Sequence, residues 1–174
     1  MAFKLKQFNA ASIASTVRAW QADKAKCTNI FPAHVDVALD LAKNKTNYAI
    51  DETNAQLAYG VFGESPHIAQ GIVDVIVTKR GRKLAKMLDC HIRPSIADKA
   101  VIGSADEIVE VADVYVASVF GALELGGDHN VSEVKVYGRS KELLSVLVAV
   151  RTVIAVKKIN IKAVIEGRWL VLKV

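Results

Sequence analysis

The feature that most constrains this chain is a change of hydrophobic period. Between residues 47 and 94 apolar and polar residues alternate in runs, and turn-forming clusters separate them: Asp51 to Asn54, Gly63 to Pro66, and Arg80 to Arg82 around Gly81. Alternation puts every second side chain on one face, so these runs predict a three-strand antiparallel meander. Its members are Ala55 to Phe62, His67 to Thr78 and Lys83 to Arg93, the last stopped by Pro94, with Tyr48 to Asp51 as an optional edge strand.

The flanks are helical. Phe3 to Phe8 still alternates as a first strand, but Asn9 then caps a helix to about Ala25, with Ile13, Val17 and Trp20 as its apolar stripe. Pro32 opens a second helix to Asn44, carrying Val35, Ala38, Leu39 and Ala42. Downstream, Ser104 precedes a third helix in which Ile108, Val111, Ala112, Tyr115, Val119 and Ala122 share a face and Gly126-Gly127 marks the end. Val131 to Tyr137 is a strand. Ser140 caps a fourth helix with Leu143, Leu144, Leu147, Val150 and Ile154 inward. Ile159 to Ile165 and Trp169 to Val174 close the chain as a hairpin turned at Glu166-Gly167. The expectation is a single domain, residues 1–174, of α/β (α+β) class: a mixed central sheet of about seven strands flanked by four helices.

Composition narrows the function classes. With 174 residues and 52% apolar content the chain can bury a sizeable core, which excludes disorder and a disulfide scaffold. Two cysteines, Cys27 and Cys90, fit a reducing, cytoplasmic setting. The longest apolar stretch, Leu143 to Val156, is broken by Ser145, Arg151 and Thr152 and is shorter than the roughly 20 residues of a membrane span. The first residues lack a signal-peptide core and read as mature protein. A net charge of +5 favours anionic partners mildly.

The element order, together with Ala69-Gln-Gly-Ile-Val-Asp74, Met87-Leu-Asp-Cys-His-Ile-Arg-Pro94 and Glu133-Val-Lys-Val-Tyr-Gly138, resembles the GNAT superfamily of acyl-CoA-dependent N-acyltransferases. The three segments resemble the family's third, fourth and fifth strands, and Ile165 to Val171 its closing hairpin in small phage-encoded members. The resemblance implies that the fourth and fifth strands splay apart and that acetyl-CoA lies between them. Cys90, His91 and Ile92 would then offer strand backbone, and Gly103, Ser104 and Ala105 a helix terminus for the diphosphate. The Arg/Gln-x-x-Gly-x-Gly/Ala loop that the family uses there is missing from Pro94 to Ala105, and Asp106 and Glu107 set carboxylates beside the same N–H groups.

Acyl transfer to an amine needs a base for the amine proton and an acid for the leaving thiolate. Asp89 and His91, two apart on one strand face, are the candidate bases, and Tyr137 is the candidate acid; the same residues also read as a polar strand face and a packed ring. The family's acid Tyr sits on the following helix, and 140–156 contains none. No spacing of Cys or His indicates a metal.

Three functions stay open on the sequence. One is an N-acetyltransferase using acetyl-CoA on an amine. Another is a non-catalytic assembly component of that fold, such as an internal or tail-associated virion protein of a tailed phage, acting as a homo-oligomer or with other virion proteins. The third is a nucleic-acid-binding module using Lys79, Arg80, Arg82 and Lys83 as an anionic contact.

Overall fold

Asn9 ends the first strand and starts the first helix: its side chain accepts from the Ser12 N–H at 2.9 Å, and Ser12 Oγ accepts from the Asn9 N–H at 3.0 Å, a reciprocal cap. The computed structural model describes residues 3–45, 48–49, 53–78, 83–102, 105–139, 141–156 and 160–173. In chain order they form β1 (Lys4–Gln7), α1 (Ala10–Lys24), α2 (Pro32–Asn44), β2 (Tyr48–Ala49), β3 (Asn54–Phe62), β4 (Ala69–Thr78), β5 (Leu84–Ile92), α3 (Pro94–Ile102), α4 (Ala105–Asp128), β6 (Glu133–Tyr137), α5 (Lys141–Val156), β7 (Lys162–Glu166) and β8 (Trp169–Lys173). One mixed sheet runs β1-β3-β4-β5-β6-β8-β7, with β2 paired to β3 as the optional edge strand. Every pairing is antiparallel except β5 with β6.

Two cores cover the two faces. On one, Trp20, Val35, Ala38, Leu39 and Ala42 of α1 and α2 pack on Phe62, Ala69 and Ile72. On the other, Val114, Val119 and Ala122 of α4 and Leu143, Leu147, Val150 and Ile154 of α5 pack on the small and branched residues of β3 to β6 and β8. The four apolar positions expected of α2 are all buried.

Several expectations need correction. Among the described residues there are five helices, not four: the segment after Pro94, expected as a loop, is α3, in which proline takes a first-turn position and Ile96 is buried. The buried positions of α1 are Ser12, Thr16 and Trp20, of which Thr16 and Trp20 serve β4 backbone groups, while Ile13 and Val17 of the expected stripe are partly buried against the same core. On α4 the expected face holds in part, with Val119 and Ala122 buried and Tyr115 packed against the core. Ile108 is 55% exposed and Val114, Ser118, Val119 and Ala122 point inward. Gly126 does not end α4; a Cβ there would stand 2.6 Å from Val134 Cγ2, so the glycine lets the helix lie close to β6. The stop is Asn130, in the left-handed region at φ 50°, with the Val131 and Asn130 N–H groups bonded to the carbonyls of Gly126 and Gly127. The final turn is Gly167-Arg168, one residue later than expected, with Gly167 at φ 61°. Ser140, Ile159 and the turn at Gly81 lie outside the described residues.

Candidate functional site

The parallel pairing of β5 and β6 runs only from Leu84↔Glu133 to Met87↔Val136. Beyond Met87 the strands part, and Asp89 to Ile92 stay paired to β4 alone. The Arg93 N–H bonds the Gln70 carbonyl, so the alternation of an antiparallel ladder turns the backbone N–H and C=O of Cys90 and Ile92 away from β4, into the gap. The Cys90 thiol points the opposite way from its strand neighbours' polar groups, into the α4 core, 3.1 Å from Ser118 Oγ. Burial pushes this thiol up to about 12.

Asp89 and His91 share a face, with His91 Nε2 3.8 Å from Asp89 Oδ2. Both carboxylate oxygens of Asp89 are engaged: Oδ1 accepts from the Cys90 N–H at 2.9 Å, and Oδ2 pairs with the guanidinium of Arg139, just beyond β6. That ion pair bridges the two diverging strands. Arg168 holds the Gly138 carbonyl at 2.7 Å and also donates to the Arg139 carbonyl, fixing the segment that carries the arginine. Behind His91 lies Asp74, buried and bonded through both oxygens to Gln56 Nε2 at 2.9 and 3.0 Å. Burial pushes the Asp74 carboxyl up, partly offset by the Gln56 bond. Burial also holds the His91 imidazole below its usual pKa, against the pull of Asp89 and Asp74, so the ring is neutral near pH 7 and able to accept a proton.

The gap opens onto a cleft of about 640 Å³. Asp89, Cys90, His91 and Ile92 form one wall, Pro94, Ala97 and Ala100 of α3 and Tyr115 of α4 a second, and the α1–α2 connection a third. The third wall is pinned: Asp98 of α3 accepts from the N–H groups of Thr28 and Asn29, and Arg93 pairs with Asp23 at 2.7 Å.

The structure therefore brings Asp89, Cys90, His91 and Ile92 together at the gap. Tyr137 does not line the cleft; its ring lies 4.8 Å from that of Trp169, under the Arg168 guanidinium. Gly103 and Ser104 lie outside the described residues, as do Lys79, Arg80 and Arg82, while Ala105 begins α4 and Lys83 is exposed. Arg139, His34 and Tyr115 join the site without a signal in the sequence. Tyr115 sits on an apolar helical face and Arg139 follows a strand without any motif, so only the tertiary arrangement reveals them. Among the described residues no group of three His, Cys, Asp or Glu could hold a metal ion, and no helix is long and apolar enough to cross a membrane.

No protein-family model matches the chain, and no curated protein resembles it. Solved structures similar to it include an acetyltransferase from Thermus thermophilus, at 12% identity and a TM-score of 0.42, covering 100% of this chain and 98% of that one. A GNAT family acetyltransferase from Brucella melitensis in complex with acetyl-CoA gives 10% identity, a TM-score of 0.44, and coverage of 98% and 87%. A GNAT family acetyltransferase from Staphylococcus aureus gives 6%, 0.40, and 99% of both chains. Identity this low and superposition this loose say nothing about chemistry.

Proposed function

We propose that this chain is a GNAT-type N-acetyltransferase, which takes acetyl-CoA in the gap between β5 and β6 and an amine in the adjoining cleft. The observation that carries the reading is the end of β5–β6 pairing at Met87↔Val136, which turns the backbone of Cys90 and Ile92 toward an open, lined cleft. Outward-facing strand amides suit an extended arm that itself carries amides, so the residues present fit the thioester end of the group. When bound, acetyl-CoA supplies an activated acyl carbon. His91 is the group suited to take the amine proton, because it is neutral at pH 7 and Asp89 is already engaged by Arg139 and the Cys90 N–H. Transfer would exchange the carbon–sulfur bond at that carbon for a carbon–nitrogen bond, so the chain must take one proton from the amine and return one to the departing thiolate. Tyr115, in the cleft wall, is placed better than Tyr137 to return a proton to that sulfur.

Thermal unfolding with acetyl-CoA tests this. A ligand that binds only the folded state at about 100 times its Kd adds about 2.7 kcal/mol. For a domain of this size that raises Tm by roughly 5–11 °C. No shift up to millimolar acetyl-CoA overturns the reading.

One observation favours a second reading, a binding or assembly component that keeps the fold without transfer. The Asp89–Arg139 pair lies across the gap, and Asp89 occupies the Cys90 N–H that an incoming arm would use. The same titration separates the two.

A further inference from the structure

Resting on the acyl-transfer reading, we infer that the acceptor is a small monoamine carried on an uncharged apolar body, and not a polyamine, an aminosugar or another polycation. The third wall of the cleft is apolar where it meets solvent: Phe31 is 75% exposed and Val37 53% exposed, and both line the cavity, with Ile30 and Val35 beside them and Trp20 at its floor. Large exposed side chains converging on a concave site are the pattern of a surface awaiting an apolar partner. His34, whose ring lies 5.5 Å from that of Phe31, and His91 supply polar atoms beside Asn29 and the Asp89–Arg139 pair.

Charge complementarity gives the second half of the inference. The carboxylates nearest the cleft are engaged, Asp74 through the neutral Gln56 amide and Asp98 through one oxygen. Asp89 holds Arg139 and the Cys90 N–H, Asp23 holds Arg93, Asp36 holds Lys24, and Asp98 holds the N–H groups of Thr28 and Asn29. A polycation entering here would bring several ammonium groups out of water to meet carboxylates already paired with arginine or lysine, or in Asp98 held by backbone N–H groups, in a chain whose own net charge is +5. A monoamine brings one, and that nitrogen meets neutral His91, while its apolar body covers Phe31 and Val37. The side chain at position 31 then sets acceptor affinity without touching the acyl-CoA gap.

The test uses the full chain and two measurements. Calorimetry with acetyl-CoA reports the gap. Thiol release at saturating acetyl-CoA, with benzylamine and hexylamine against spermidine and kanamycin, reports the acceptor, and ligand-observed NMR of benzylamine without acyl-CoA reports acceptor binding alone. The expected result is acetylation of the monoamines in preference to the polycations. Phe31→Ala should raise the benzylamine KM about tenfold or more and weaken the NMR effect alike, with acetyl-CoA affinity unchanged. Acetyl-CoA binding with a preference for spermidine or kanamycin, with no acetylation of either monoamine, or with a benzylamine KM indifferent to Phe31→Ala overturns the acceptor inference alone. Absence of acetyl-CoA binding overturns the transfer reading and the inference with it.

Discussion

Replacing Thr16 by valine isolates one hydrogen bond on which the whole α1 wall depends. Thr16 is fully buried, and its Oγ1 accepts from the Ala69 N–H at 3.0 Å, while Trp20 Nε1 donates to the Ala69 carbonyl at 2.8 Å. A helix thus meets both backbone groups of the first residue of β4. The reason lies in the ladder: Val61 pairs with Gly71 and Phe62 with Ala69, so Gln70 is an extra residue and the register slips there. Valine keeps the shape and removes the acceptor, leaving the N–H of fully buried Ala69 without its partner, at a cost of about 1–3 kcal/mol. The contact of Thr16 with the His67 carbonyl, at 3.5 Å, is at the limit of a hydrogen bond and adds little. In a domain of this size the loss corresponds to a fall in Tm of about 2–12 °C. Thr16→Ser is the control, because it keeps the acceptor and deletes one methyl, worth about 0.8 kcal/mol. Thermal unfolding by circular dichroism should rank the proteins wild type, Thr16→Ser, Thr16→Val in falling Tm. A serine variant at least as destabilised as the valine variant would refute the reasoning, since packing and not hydrogen bonding would then hold α1 to β4.

Four other expectations follow from the same kind of reading. His91 has its folded pKa depressed by burial, so the stability contributed by the neutral ring is whole above the unfolded value near 6.5 and declines as pH falls toward the folded one; Asp74, pushed up, works in the opposite sense at lower pH. His91→Gln should flatten the Tm profile as pH falls below the unfolded value near 6.5, and an unchanged slope would count against a buried neutral imidazole. Gly121→Ala places a Cβ 2.3 Å from Leu5 Cβ, so β1 and α4 must separate and the variant should lose about 1–3 kcal/mol despite the gain in helix propensity. Gly127→Ala meets nothing within 4 Å and should be neutral or gain up to about 1 kcal/mol, both measured by denaturant unfolding. With Ellman's reagent at pH 8, partly exposed Cys27 should react before Cys90, whose thiol is buried and pushed up to about 12; equal rates in the native protein would contradict the packing of Cys90 on Ser118.

Local periodicity made most elements legible. The α2 face and the buried residues of α5 follow from spacing, because each helix buries one face against the sheet, and the meander follows from its turn residues as well, since β3 and β4 are buried on both faces. The faces of α1 and α4 followed from it only in part: Trp20, Val119 and Ala122 are buried as expected, and Ser12, Thr16, Val114 and Ser118 join them. Apolar spacing points to Ile13 and Val17, which are only partly buried, while Ser12 and Thr16 are buried because the Ser12 hydroxyl closes the helix cap and the Thr16 hydroxyl satisfies the slipped strand register. Gly126 misled in a similar way: glycine commonly marks a helix end, but here it is spacing for Val134, and the terminus is set by Asn130 four residues on. The pairing of Arg139 with Asp89 joins residues 50 apart and has no local signature at all.

The candidate site turns on a single extra residue. Strict alternation along β5 would put Ala85, Met87, Asp89 and His91 on one face. The observed register pairs Val75 with Met87 but Asp74 with Asp89, so Leu88 is inserted and the strand changes phase. Ala85, Met87 and Cys90 consequently share the α4 core, and Asp89 and His91 are delivered to the cleft. Without the bulge the carboxylate and the imidazole would both face the apolar α4 core, where each would cost more to desolvate than the fold returns. Two apart on one face was therefore a sound expectation for Asp89 and His91, but the identity of that face was not in the spacing. It is fixed where β5 leaves β6, and the same irregularity that frees the strand edge also aims the two titratable groups at it.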